Sequence, residues 1–221
     1  MAYMKPSSSD HPKVHEAFGL LKAGRMDRRE FVRVAALLGT SAATAYALAG
    51  LPAPAFAATS LPFGPDDPQA KTGGILKFAM QVQKMEDPAN YSWVQMSNQT
   101  RHTLEYMAMT GPDNVTRPML AESWTAAEDL KTWTFNLRKG VMWHNGDELV
   151  ADHIVWNINR WLDPKTASSN VGLSVFAAMV EETPEKDAKG KPISRIVKGA
   201  VEAVDKYTVR FNLKKAVLSA A

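Results

Sequence analysis

The 221-residue chain contains no cysteine. That absence removes disulfides, thiolate metal sites and thiol nucleophiles together. It also removes a lipid-attachment box, because Leu48-Ala49-Gly50 is followed by Leu51. The chain lacks a nucleophile elbow, a G-x-G-x-x-G turn and a clustered set of metal ligands, so nothing in it points to catalysis or to a cofactor. Gly73-Gly74 stands in front of an apolar stretch, whereas a phosphate loop follows one. A basic stripe interleaved with aromatics is missing too. The formal net charge of +3 is confined to the front of the chain: residues 1–57 hold 7 of the 26 Lys and Arg and 4 of the 23 Asp and Glu, which leaves 19 of each sign for the remainder. The basic balance is therefore no argument for nucleic acid as a partner.

What is present is clear patterning in the second half. Trp133, Phe135 and Leu137 alternate with Thr132, Thr134 and Asn136, the period of a strand with one buried face. Arg138-Lys139-Gly140 interrupts it, Val141, Met142 and Trp143 resume it, and Asn145-Gly146-Asp147 marks a turn. Ile154, Ile158, Trp161 and Leu162 then recur at helical spacing. Trp124, Trp133, Trp143, Trp156 and Trp161 are expected in the core. The Lys/Glu/Asp/Gly-rich run from 184 to 192 is expected to be a solvated loop, and the run from 207 to 213 a final strand without partners. These periods imply a mixed α/β or α+β domain. His144 and His153, nine positions apart across a turn, lack the spacing of a metal pair.

The front of the chain has targeting character. Arg28-Arg29-Glu30-Phe31-Val32-Arg33 resembles a twin-arginine export motif, with Asp27 where serine or threonine is usual. Residues 34–51 form a mild apolar region, and Ala55-Phe56-Ala57 offers small residues where a signal peptidase reads. The expected division is a signal peptide with a long n-region over 1–57, cleaved after Ala57, a mobile lead-in over 58–72, and a folded part over 73–221. A membrane anchor is the competing view of residues 34–51. Its interspersed polar residues and the A-x-A site argue against it.

The order of residue types from 73 to 213 resembles the peptide- and nickel-type extracellular solute-binding proteins of ABC importers. The likeness is carried by Gly73-Gly74-Ile75-Leu76-Lys77-Phe78 as an opening strand, Asp87-Pro88, Leu104-Glu105-Tyr106 as a helix segment, and Ala121-Glu122-Ser123-Trp124. It continues through Trp143-His144-Asn145-Gly146-Asp147, Asp163-Pro164-Lys165-Thr166-Ala167-Ser168 and the hairpin-like run 201–213. Val150 departs from the usual threonine and His153 from the usual acidic residue. Valine cannot cap the following helix, so the cap is lost or shifts to Asp147 or Asp152.

The resemblance implies a periplasmic binding protein type II-like fold, here the N-terminal lobe and its small subdomain only, with the second lobe absent. It implies a non-enzymatic, periplasmic substrate-binding component that captures a small-molecule or peptide ligand. Its partners would be an ABC permease complex in the inner membrane and, during export, the twin-arginine translocase. Carried over by position, the ligand-binding candidates are Ser92, Trp93, Val94 and Asn170, with Trp93 equally compatible with packing and Asn170 with a plain loop role. No metal and no cofactor is implied. The alternatives are a twin-arginine-exported enzyme and a truncated product without independent function.

Overall fold

The computed structural model describes residues 4–53, 73–75, 77–82, 84–92, 94–186, 190 and 192–221. Within them the architecture is mixed α/β. At its centre is a four-stranded antiparallel sheet in the order β3 (Ala121–Ala126), β4 (Thr132–Leu137), β8 (Thr208–Asn212), β7 (Val201–Asp205). The alternation noted in β4 is the reason this sheet has one buried face. Register sets Trp124, Phe135, Val209 and Ala203 in one row, and Ala126, Trp133, Phe211 and Val201 in the next. Trp133, Phe135 and Val209 are at most 2% exposed, and the Phe135 and Phe211 rings lie 4.8 Å apart. Each such large side chain removed from water contributes roughly 1.5–3 kcal/mol.

Helix α5 (Ala151–Leu162) buries Ile158 and Leu162, as the apolar spacing predicts. Its start solves the missing cap in an unforeseen way. Val150 provides no side-chain acceptor; instead His153 Nδ1 accepts the Val150 N–H at 3.4 Å, and Lys206 O accepts the Ala151 N–H at 2.9 Å. Two smaller hairpins complete the strands: β1 (Ala108–Thr110) with β2 (Thr116–Pro118), and β5 (Val180–Lys186) with β6 (Pro192–Ile196).

Residues 12–48 do not run as a loose leader. They form α1 (Pro12–Lys22), α2 (Arg28–Leu37) and α3 (Ala42–Leu48), whose buried faces join the same apolar cluster as the sheet. The sequence explains their ends. Pro12 occupies a first-turn position, and Asp27 and Ser41 accept the Glu30 and Thr44 N–H groups at 2.9 and 3.2 Å. None of the described helices is long and apolar enough to cross a membrane. The expected cleavage point after Ala57 and the whole lead-in 58–72 lie outside the described residues.

Several expectations are corrected. Residues 73–78 form no strand among the described residues, and Ile75 and Phe78 stand 89% and 62% exposed, because no neighbouring strand supplies the ladder. Residues 104–106 are not helical; the helix lies earlier, as α4 (Val94–Thr100). The run from 184 to 192 is partly strand, since β5 extends to Lys186 and β6 begins at Pro192. The final strand has two partners, β4 and β7, and is interior to the sheet. Trp124 and Trp133 are core, but Trp143 and Trp156 are 47% and 66% exposed. Helical or strand spacing specifies a face, and only packing decides whether that face is covered.

Candidate functional site

The two stretches singled out as ligand-binding candidates each begin with an Asp-Pro pair, and both fold the same way. Proline fixes φ for the first position of a tight turn and Asp caps its amides. Asp87 accepts the Ala89 N–H at 3.0 Å above the 3-10 turn Pro88–Asn90. Asp163 accepts the Lys165 N–H at 2.9 Å above the turn Pro164–Thr166, which ends at Ala167 with a left-handed φ of 51°.

These turns are bonded face to face. Ser168 Oγ donates to Ala89 O at 3.0 Å, and Ser169 Oγ donates to Tyr91 O at 2.6 Å across 78 residues of sequence. With its amide oriented to satisfy both ends, Asn90 Nδ2 donates to Thr166 O at 2.8 Å and Ala167 O at 3.2 Å. Arg160, in the last turn of α5, pairs with Asp87. The Ala89 N–H, followed by the Arg160 guanidinium, holds the Asp87 carboxyl below its ordinary range. Ala89 is wholly buried beneath the junction.

The junction brings the candidates together from distant parts of the chain. Ser92 is exposed directly after Tyr91, and Asn170 is half-buried directly after Ser169. Ser168 Oγ accepts the Asn170 N–H at 3.1 Å and Asn170 O accepts the Leu173 N–H at 2.9 Å. Val94 is 61% exposed and opens α4 (Val94–Thr100), so this candidate stands on the first turn of a helix. Trp93 lies outside the described residues. The Asp-Pro repetition was the one sequence signal that could have linked the two stretches.

A second cluster, missed in the sequence, closes the far end of the sheet. Glu148 accepts from Lys206 Nζ at 2.8 Å, Gly140 N at 2.8 Å and Tyr207 Oη at 2.9 Å. Those bonds, led by Lys206, pull the Glu148 carboxyl down to about 2. Beside it, Trp143 Nε1 donates to His153 Nδ1 at 2.9 Å. Nδ1 of His153 is thus engaged by Trp143 and by the α5 cap, and His144 does not join it. No group of three His, Asp or Glu side chains suited to a metal ion is found among the described residues. The carboxylates at both Asp-Pro turns act as backbone caps. Two open hollows, of about 300 and 740 Å³, lie along the seam of α1–α3 and include neither Ser92 nor Asn170.

Comparison with known proteins matches residues 115–220 to the family described as bacterial extracellular solute-binding proteins, family 5 Middle. The periplasmic oligopeptide-binding protein OppA of Haemophilus influenzae is 34% identical over 122 residues, covering 55% of this chain and 22% of that protein. OppA of Escherichia coli is 31% identical over 131 residues, covering 59% and 23%. The dipeptide-binding protein DppE of Bacillus subtilis is 34% identical over 87 residues, covering 39% and 15%. The chain therefore spans less than a quarter of the length of these relatives. A crystal structure of the Haemophilus influenzae OppA in complex with RPPGFSPFR superimposes with a TM-score of 0.48 at 32% identity, covering 60% of this chain and 25% of that one.

Proposed function

We propose, for a chain whose residues 115–220 match the bacterial extracellular solute-binding proteins of family 5, that it is the N-terminal part of a periplasmic receptor delivering peptides to an ABC importer. The names of its relatives support a peptide as the ligand class. The observation that supports particular residues is the bonded pair of Asp-Pro turns, whose Ser168–Ala89 and Ser169–Tyr91 bonds adjoin Ser92 and Asn170 in the chain, with Val94 two residues further on. Trp93, between two of them, belongs to the same proposed site. The main-chain N–H and C=O of Asn170 are used inside its own turn, so its side-chain amide is the group it offers a ligand.

An extended peptide is held by main-chain hydrogen bonds, with water filling loose side-chain pockets. Full affinity requires a second lobe closing over the first, because closure removes water and strengthens every fixed dipole. The chain is exported by the twin-arginine translocase, acts in the periplasm and docks on a permease complex in the inner membrane. It is not an enzyme.

For residues 1–221 tested by themselves, association entropy offsets most of the contact energy, and a Kd weaker than about 1 mM is expected. Tri-alanine titrated into the ¹⁵N-labelled chain should shift the Ser92, Val94 and Asn170 resonances together. Shifts confined to another part of the fold would rule out this site, and their absence up to about 10 mM peptide would remove the support for peptide binding.

A further inference from the structure

The arginine-pair segment is not free in this fold; it is docked. We propose that α1–α3 act as an intramolecular cover on β3 and the β1–β2 loop, and that a partner can read the Arg28-Arg29 segment only after α2 leaves the sheet. The second half of this proposal rests on the export reading above.

The contact is built from specific bonds as well as apolar surface. Trp124 Nε1, on β3, donates to Leu37 O at the end of α2 across 3.0 Å, and the indole is 4% exposed. His11 Nε2 donates to Ala127 O at 3.1 Å, and the Tyr46 hydroxyl donates to Asp113 Oδ2 at 2.8 Å. Asp113 in turn holds Arg117, itself 1% exposed, through two bonds of 2.7 and 2.8 Å. Burial raises the Tyr46 phenol, and the Asp113 carboxylate raises it further, to about 12. Backbone approach is equally close. Gly39 ends α2 with φ of 95°, and a Cβ there would lie 2.4 Å from Trp124 O. Only glycine meets both the left-handed conformation and the contact.

Docking divides the motif. Arg29 is exposed, whereas Phe31 and Val32 are 0% and 1% exposed against the cluster. Arg28 is half-buried with Nη1 donating to Gly50 O at 3.3 Å. Arg33 is paired with Glu30 at 2.6 Å. A partner that needs the arginines and the apolar residues in one extended stretch competes directly with the sheet. Undocking would uncover Trp124 and Val115, so the cover also shields an apolar surface while it remains in place.

Hydrogen exchange on the full chain tests this. Amides of 31–37 should be protected to a degree comparable with 133–135 of β4. Gly39→Val should speed exchange in α2 by about tenfold or more while β4 keeps its protection. Trp124→Phe, which removes only the donor to Leu37 O, serves if the valine variant does not fold, and should act in the same direction more weakly. Free-peptide exchange at 31–37 in the unaltered chain, or no change in either variant, overturns the cover. In the native host, the undocked variant should leave the cytoplasm faster than the unaltered chain, and equal rates overturn the competition. If exchange behaves as expected but neither chain is exported, the export reading falls and the cover stands.

Discussion

Replacing Tyr46 by phenylalanine removes one hydroxyl from the seam between α3 and the β1–β2 loop and leaves the ring in place. The lost bond is 2.8 Å long and ends on a carboxylate. Bonds to charged groups are worth about 1.5–3 kcal/mol. Asp113 keeps both Arg117 nitrogens. The cost should thus fall just below that range, at about 1 kcal/mol, or a drop of about 2–4 °C in Tm for a chain of this size.

The titration of Tyr46 gives an independent check. Its phenol is raised from 10.0 to about 12. A group raised in the folded state contributes stability that is complete below its unfolded value and is lost as pH climbs through the folded value. The window is therefore about pH 10 to 12. At full strength that span would be roughly 2.7 kcal/mol. The ring is half-buried, and solvent screening reduces the figure to about 1 kcal/mol. Urea unfolding of both proteins at pH 7 and pH 11 is the assay. The stability difference should be about 1 kcal/mol at pH 7 and shrink at pH 11, since phenylalanine has nothing to titrate. Equal stability at pH 7, or a difference that does not change with pH, would refute the role assigned to the Tyr46–Asp113 bond.

Glu148→Gln should be less stable than the unaltered chain at neutral pH and lose less stability on acidification. Glu148 is lowered from 4.5 to about 2, so its contribution is present above pH 4.5 and lost as pH falls toward 2. Circular dichroism across that range shows the difference, and parallel acid profiles would contradict it. Val150→Thr should stabilise the chain by about 0.5–1 kcal/mol in urea unfolding, by giving α5 the side-chain acceptor it lacks. A loss of stability would mean that the His153 and Lys206 contacts already complete the cap and that the hydroxyl disturbs them.

The sequence alone determined the parts whose physics is local. The two-residue alternation of Trp133, Phe135 and Leu137 made β4 legible, because a half-buried strand admits few other patterns. The spacing of Ile158 and Leu162 did the same for α5, whereas the β7–β8 hairpin over 201–213 was legible only through the family resemblance. The Asp-Pro pairs entered only as marks of the family resemblance, although a capped proline turn needs nothing from elsewhere in the chain and both turns were legible there. Tertiary structure decided everything that depends on a distant partner. Ser169 meets Tyr91 across 78 residues, which no local pattern encodes. Residues 73–78 read as a strand, but those of them that are described form none, because a strand exists only with its neighbour. Trp156 was expected inside together with Trp133, yet it stands 66% exposed, with the Arg160 guanidinium against its face, 5.9 Å from the ring centre. The docking of α2 turns on Gly39 and Trp124, whose contact is a matter of backbone approach and not of any motif.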